Sequence, residues 1–466
     1  MCNVKRAVCP TVRDPPIAKR DKLGNLITTP NLIKDLTEEE FLYRLRSRKM
    51  IPGLTNLEQL KEELWHRRSD LLSTVKSEDW TMEQLNMVLK SLKPNKARDP
   101  LGWLNELFMP KTAGLDLKNS LLKLLNGIKN EQKVPDILKM PNITTMYKNK
   151  GDKSDLNNDR GVFTLSVIRT ILDKLIYIDN YKTIDKNMSK SNIGARKERN
   201  VRDHLFIVNA VLNSVKQKEA NPIHAMLFDI SKCFDSQWPS ETMNDLFEVS
   251  KQNEKLRIIS ESNKNVSISI KTPFGQTKRK IIKEVEMQGS VWGPIKCSVQ
   301  IDTIGKECLQ KRENVYSYKK LVNIPPLSFI DDIIGFAECG HPSVKLNCFI
   351  NSKIEMKRLE FSDTKCHQIH VGTSKSLCPS LNVHGKIMKT VDYDKYLGDI
   401  ISSDSSNTKN IESKVSKAIG IISQIMALLN EVSLGSHYFK IALMLREAFF
   451  YKWSLDEFGS MLWAKR

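Results

Sequence analysis

The sequence predicts an α+β chain made of several subdomains, and three features predict it. Apolar residues recur at spacings of three and four in some segments and alternate in others, so both helices and strands are expected. The 466 residues are 40% apolar, enough to bury a sizeable core. No internal repeat or low-complexity tract is visible, which sets aside solenoids and linker-rich scaffolds.

Residues 1–85 read as helices joined by polar turns, with Thr37-Glu38-Glu39-Glu40 resembling a capping box before Phe41, Leu42 and Leu45. From Thr81 a helical pattern runs through Leu85, Val88, Leu89 and Leu92 and breaks at Lys93-Pro94-Asn95-Lys96, because proline disfavours helix in the residue before it. Leu165, Ile168, Leu172, Leu175 and Ile176 form one apolar helical face, with Arg169 and Lys174 outside that set. In residues 265–283, Val266, Ile268 and Ile270 alternate with Ser267 and Ser269 before Pro273 and Gly275, which reads as a half-exposed β-hairpin. Val415, Ala418, Ile422, Ile425 and Leu429 make an apolar stripe on a helix that must pack on something.

Composition bounds the function. No run of about 18 apolar residues, the length that crosses a bilayer, is present, and the N-terminus lacks the apolar core of a signal peptide. Nine scattered cysteines do not suit a secreted disulfide framework and are expected to be reduced thiols. Cys366, His367 and His370 are the richest metal-like cluster but lack a second ligand pair at zinc-finger spacing. The chain is therefore expected to be soluble and intracellular, nuclear or cytoplasmic, with no membrane partner. A net charge of +19 points to a polyanion, since clustered Lys and Arg release counterions from phosphates. Residues 148–218 alone carry 15 Lys and Arg against 8 Asp and Glu.

Three short segments carry the chemistry. An apolar run, His224-Ala225-Met226-Leu227-Phe228, ends at Asp229, and a second, Leu327-Ser328-Phe329-Ile330, ends at Asp331-Asp332. An acid pair between apolar flanks is costly to bury unless a cation neutralises it. In a hairpin the pair would lie at the turn and present a carboxylate to the strand ending at Asp229, a geometry that suits two hard cations. Taken alone, an Asp-Asp turn is most simply a solvated turn. The third segment is Gln288-Gly289-Ser290-Val291-Trp292-Gly293-Pro294, where glycines allow close backbone approach and Pro294 marks a helix start.

In the order Asp229, Gln288-Gly289-Ser290 with Gly293-Pro294, and Asp331-Asp332, these segments resemble the reverse transcriptases of non-LTR (LINE-type) retrotransposons. The likeness runs from Thr81 to Leu434 and includes Lys96-Ala97-Arg98-Asp99-Pro100, Asn142 to Asp152, Asn158-Asp159-Arg160-Gly161-Val162, Asn192 to Lys197, Lys357 to Cys366, and Asp392 to Gly398. The resemblance implies a right-hand polymerase fold with a helical extension over 1–85, fingers over 86–222, palm over 223–400 and helical thumb over 401–466. The palm would be an antiparallel, ferredoxin-like sheet backed by helices.

The same resemblance implies an RNA-directed DNA polymerase acting on an RNA template, a DNA or RNA primer and deoxynucleoside triphosphates. Asp229, Asp331 and Asp332 would hold two Mg2+ ions, with Mn2+ as a substitute, assisted by the Ile230 carbonyl. Arg160, with Lys148 and Lys150, would clamp the triphosphate, and Gln288 and Gly289 would lie against template and nucleotide. Phe234 would gate against a 2′-hydroxyl, and Lys365 would donate a proton to departing pyrophosphate. Arg196 and Lys197 would track template phosphates, and Tyr396, Leu397 and Gly398 would grip the primer.

Several residues depart from the family pattern. Phe329-Ile330 replaces a usual Tyr-Ala, Trp292 stands where Leu is common, and Gly161 replaces Pro, loosening a turn. No endonuclease is recognisable, and the chain stops soon after Phe449-Phe450-Tyr451-Lys452-Trp453, which implies a truncated thumb in a fragment or decayed copy. The competing expectation is a catalytically inactive, polymerase-derived protein that binds RNA or RNA–DNA hybrid. A third is a structural partner acting through the thumb helix. Oligomeric state stays open.

Overall fold

The computed structural model describes residues 18–46, 55–231, 233–234, 236–251, 253–372 and 378–431. Cys2, Cys9, residues 449–453 and the rest of the expected thumb beyond 431 lie outside them. A short ribbon of β1 (Lys19–Arg20) and β2 (Leu26–Ile27) leads into α1 (Pro30–Arg46). Proline at the first helical position loses no hydrogen bond, so the helix begins there. Thr37 consequently lies inside α1, where its Oγ1 donates to the Ile33 carbonyl at 2.7 Å. The capping box expected there is not one, because a threonine can bond back to its own helix as readily as cap it. The helical pattern expected from Thr81 is α3 (Met82–Lys90), which follows α2 (Thr55–Ser73), and a reciprocal capping box lies here, between Thr81 and Gln84, rather than at Thr37.

The helical face read at 165–176 falls on α5 (Val167–Asn187), which packs with α3, α4 (Leu115–Glu131), α7 (Pro239–Ser250) and α8 (Trp292–Lys311). Arg169 belongs to this interior as well. It is 1% exposed and bonds Asp173 at 2.9 Å and the Ser262 carbonyl at 2.8 Å. Trp292 is also buried, edge-on to Tyr177.

Two sheets organise the remainder. In the five-stranded one, β4 (Asp159–Thr164) pairs antiparallel with β3 (Asn142–Tyr147), which pairs parallel with β6 (Lys264–Thr272); β7 (Gly275–Gln276) and β8 (Lys280–Glu284) fold back on β6. The hairpin read at 265–283 is therefore present, with Val266, Ile268 and Ile270 fully buried. Gly161 does not sit in a turn. It lies within β4, where a Cβ would stand 2.6 Å from the Phe41 ring, so the small residue accommodates α1.

The six-stranded sheet has β5 (Ile223–Ser231) at its centre, between β12 (Asp332–Glu338) and β14 (His367–Val371). Strand β11 (Leu327–Phe329) flanks β12, β17 (Lys389–Thr390) flanks β14, and β13 (Glu360–Phe361) joins the end of β5. One face packs on Cys297, Ile301 and Ile304 of α8 and Leu346, Ile350 and Ile354 of α9 (His341–Met356). The other packs on Val208, Val211, Leu212 and Val215 of α6 (Val201–Lys216). Cover on both faces explains why β5 reads as a continuous apolar run rather than an alternating one. Small ribbons complete the chain: β9 (Tyr316–Tyr318) with β10 (Val322–Ile324), β15 (Asn382–Val383) with β16 (Lys386–Ile387), and β18 (Tyr393–Tyr396) with β19 (Asp399–Ser402). The stripe beginning at Val415 falls on α10 (Thr408–Glu431). Among the described residues no helix is long and apolar enough to cross a membrane.

One buried ion pair links the two sheets' supports. Lys296 of α8 is fully buried, and its Nζ donates to both Glu286 oxygens at 2.8 Å, while Asn263 donates to Glu286 at 3.1 Å. Removing one partner strands the other's charge in the interior. Lys296→Met should cost about 3–5 kcal/mol in denaturant unfolding, and adding Glu286→Gln should recover part of that loss.

Candidate active site

The register of β5 against β12 puts Asp332 directly opposite Asp229. Opposed residues of an antiparallel pair project from the same face with Cα atoms about 4.5–5.5 Å apart, so these two carboxylates converge. Asp331 occupies the turn before β12, and its carbonyl accepts the Ile230 N–H at 3.1 Å, locking the turn to the end of β5. The Ile230 side chain points into the core and is buried. Ile330 pays for the tight turn with φ of 56°, a left-handed conformation rare for a β-branched residue.

Burial, then the charge of Asp229, holds the Asp331 carboxyl above its ordinary range, while the Lys365 and Arg160 charges pull the other way. Burial, then the charges of Asp331 and Asp229, pushes Asp332 up to about 7. Lys365, half exposed, donates to both Asp229 oxygens at 2.7 and 2.8 Å. Cys366 lies buried beneath, with its Sγ 3.5 Å from the Asp229 nitrogen. Crowded carboxylates that resist ionisation fit a hard, oxygen-seeking divalent cation, and their donor set suits Mg2+ or Mn2+ rather than a thiophilic metal.

Of the other expected residues, Arg160 lies close enough for its charge to act on Asp331. Gln288 accepts the Phe163 N–H at 2.8 Å through its carbonyl, and Gly289 has φ of 107° where a Cβ would stand 2.9 Å from the Phe163 oxygen. That contact ties the loop before α8 to β4, the strand carrying Arg160, which is exposed and whose charge reaches Asp331. Half-buried Phe234 faces the start of α8, its Cε1 3.4 Å from where a Gly293 Cβ would be. Lys148 and Lys150 are exposed on the β3–β4 connection, and Lys148 donates to the Asn157 carbonyl at 2.7 Å. Lys197 is exposed, its Nζ 5.0 Å from the ring centroids of Tyr177 and Tyr181.

Two expected residues are placed differently. The Arg196 guanidinium is buried and saturated by Asp185 and by the carbonyls of Asp185, Ser189 and Asn192, so it cannot reach a template phosphate. It fixes the loop that supports the acid turn. The Tyr396 side chain is likewise buried, its hydroxyl 3.2 Å from His204 Nδ1, so of the three expected primer-grip residues only Leu397 and Gly398, in the β18–β19 turn, reach the surface. Both turn residues have positive φ, 46° and 99°, as a two-residue hairpin turn requires.

Gly194 and Asp99, both inside segments that carry the family resemblance, have supporting roles that sequence spacing does not give. Gly194 backs directly on the acid turn: a Cβ would stand 2.5 Å from the Ile330 nitrogen and 2.4 Å from Ser298 Oγ. Flanking backbone bonds, Ile193 N–H to Ser328 at 3.1 Å and Ser328 N–H to Ser191 at 2.9 Å, add this segment to the edge of β11. Asp99 accepts the N–H groups of Leu101 and Trp103 and, at 2.9 Å, that of Val167 at the start of α5.

The sequence family described as reverse transcriptase (RNA-dependent DNA polymerase) matches residues 149–401, which is more than half of the 466. All three carboxylates lie within that span. A comparison with curated proteins gave no match.

The raised Asp332 carboxyl has a consequence for stability. It sits near 3.8 when unconstrained and about 7 when folded, so the folded chain binds the extra proton. The linked stability is fully present below about pH 4 and is lost as pH rises through about 7. Asp332→Asn should melt with the parent near pH 4 and a few degrees above it at pH 8. Magnesium should raise the melting temperature of the parent at pH 8 and leave the variant's nearly unmoved.

Proposed function

Because the chain belongs to the reverse transcriptase (RNA-dependent DNA polymerase) family, we propose that it adds deoxynucleotides to a primer 3′-hydroxyl on an RNA template. The family's activity and its general use of divalent ions frame the reading. The observation that carries it for this chain is the pairing of Asp229 with Asp332 beside the Asp331 turn. These carboxylates would hold two Mg2+ ions, or Mn2+ in their place, with the Ile230 carbonyl as a further oxygen. When bound, such ions activate the attacking hydroxyl and stabilise the charge on the leaving phosphates.

The chain's own residues would do the positioning. Arg160 offers a planar fork to phosphate oxygens from β4, facing the acids across the site. Phe234 would close the space a 2′-hydroxyl needs, and Gln288-Gly289 would flank nucleotide and template. Lys365 would leave Asp229 once a metal neutralises it and hold a proton for pyrophosphate. Lys197 and the Leu397-Gly398 turn would meet template and primer. In this reading β3 and β4 belong to fingers, the six-stranded sheet is the palm, and α10 begins the thumb. The motif order supports a non-LTR retrotransposon origin.

A second reading, an inactive polymerase-derived protein that binds RNA or RNA–DNA hybrid, is favoured by one observation: bulky Ile330 is held at positive φ at the acid turn. Primer extension on poly(rA)/oligo(dT) with Mg2+ and dTTP separates the two. The parent should extend, and Asp331→Asn should be slower by at least about 10²-fold, the scale of losing one positioned electrostatic group. No extension by either, with hybrid binding that falls steeply with salt, would establish the second reading.

Sugar selection gives a separate test. Phe234→Val should raise ribonucleotide incorporation relative to deoxynucleotide by about 10- to 100-fold, the size of one steric contact in a filled pocket, measured as a ratio of single-nucleotide kcat/KM values. An unchanged ratio would remove Phe234 from the sugar-facing position.

A further inference from the structure

At the opposite end of the same two strands lies a cluster of a different chemistry. His224, at the start of β5, pairs in register with Ala337 of β12, and Cys339 follows just beyond, held there by its N–H to the Pro222 carbonyl at 3.1 Å. Cys378 comes from the segment beyond β14, and its Sγ is 3.1 Å from that of Cys339. One donor atom from each of the three residues lies within 4.8 Å of the others. His224 is fully buried, and neither of its ring nitrogens has a hydrogen-bond partner. Its ring stacks on His370, 4.3 Å between centroids, and a buried imidazole so placed calls for a partner that an ion beside two thiols would supply.

We propose that His224, Cys339 and Cys378 bind one zinc ion that clamps the far ends of β5 and β12 to the segment after β14. Two thiolates and an imidazole are a borderline-soft donor set that selects zinc over magnesium, and water would take the fourth tetrahedral position beside the half-exposed Cys339 and Cys378. On binding, each thiol releases its proton to solvent, and the neutral imidazole donates a nitrogen lone pair. The two sulfurs need to separate by only about 0.6 Å to span a tetrahedral ion with bonds of about 2.3 Å. A Cys339–Cys378 disulfide would satisfy the sulfurs but leave both His224 nitrogens without a partner, which is why the geometry points to a metal. The inference does not depend on the polymerase reading.

The full chain, purified under reducing conditions without chelator, should carry about one zinc per molecule by elemental analysis. Cys339→Ser and Cys378→Ser should each lose it, while Asp331→Asn, at the other end of the sheet, should keep it. Should the serine variants fail to fold, the parent suffices: cobalt replacement should give a thiolate-to-cobalt charge-transfer band, and chelation should make two further thiols reactive. Zinc retained by both serine variants would overturn the proposal. So would metal-free protein, whether its peptide map shows a Cys339–Cys378 disulfide or two free thiols that react equally fast with and without chelator.

Discussion

Antiparallel pairing of β5 with β12 brings like charges together, and the rest of the molecule is arranged so that this pairing cannot slip. Two unit charges about 5 Å apart, the Cα spacing of directly opposed residues, would repel by about 3 kcal/mol at an effective dielectric near 20. Each large apolar side chain buried on the same strands returns about 1.5–3 kcal/mol. Met226, Phe228 and Ile333 on one face and Ala225, Leu227 and Ile334 on the other are all buried, so packing outweighs the repulsion several times over. A one-residue slip would exchange the two faces and carry Asp229 into the helical layer. The register that makes the site is thus enforced by residues that take no part in it.

The acid turn depends in turn on distant segments. Residues 191–194 add to the edge of β11, Gly194 leaves room for Ile330, and buried Arg196 ties that loop to Asp185. On the other side of the site, α1 steadies β4. Arg44 donates to the carbonyls of Leu156 and Asp159, Lys19 pairs with Asp159, and the Phe41 ring fills the space beside Gly161. The strand that presents Arg160 is therefore held by the segment that the sequence described only as a helical extension.

How much of this was legible depends on whether the cause was local. The acid pair, the apolar runs of β5 and β12, the helix after Thr81 and the 265–283 hairpin were readable because each is decided by neighbours in the sequence. Thr37 misled because the same residues serve a helix interior or a cap, and only Pro30 upstream decides between them. Arg196 and Tyr396 were assigned to nucleic acid from motif position, yet their surroundings come from residues 185–192 and from His204, which no spacing rule links to them. Gly161 looked like a loosened turn because its reason, Phe41, lies far upstream. Charge in the basic stretch 148–218 is partly internal: Arg169 and Arg196 sit in ion pairs with Asp173 and Asp185 of the same stretch, so these pairs cancel and the excess a partner would meet comes from the other residues.

Placing hard oxygen donors at one end of β5 and β12 and sulfur with imidazole at the other has a chemical logic. Carboxylates bind magnesium weakly enough to exchange it with substrate phosphates, whereas thiolates would trap a softer ion and stop turnover. Cys366 lies buried beneath Asp229, its Sγ 3.5 Å from the Asp229 nitrogen and its thiol pushed up to about 12 by that burial. Among the described residues the one group of three such donors within reach of a single ion is His224, Cys339 and Cys378, so a thiophilic metal would be drawn to the far end of the sheet rather than to the acids.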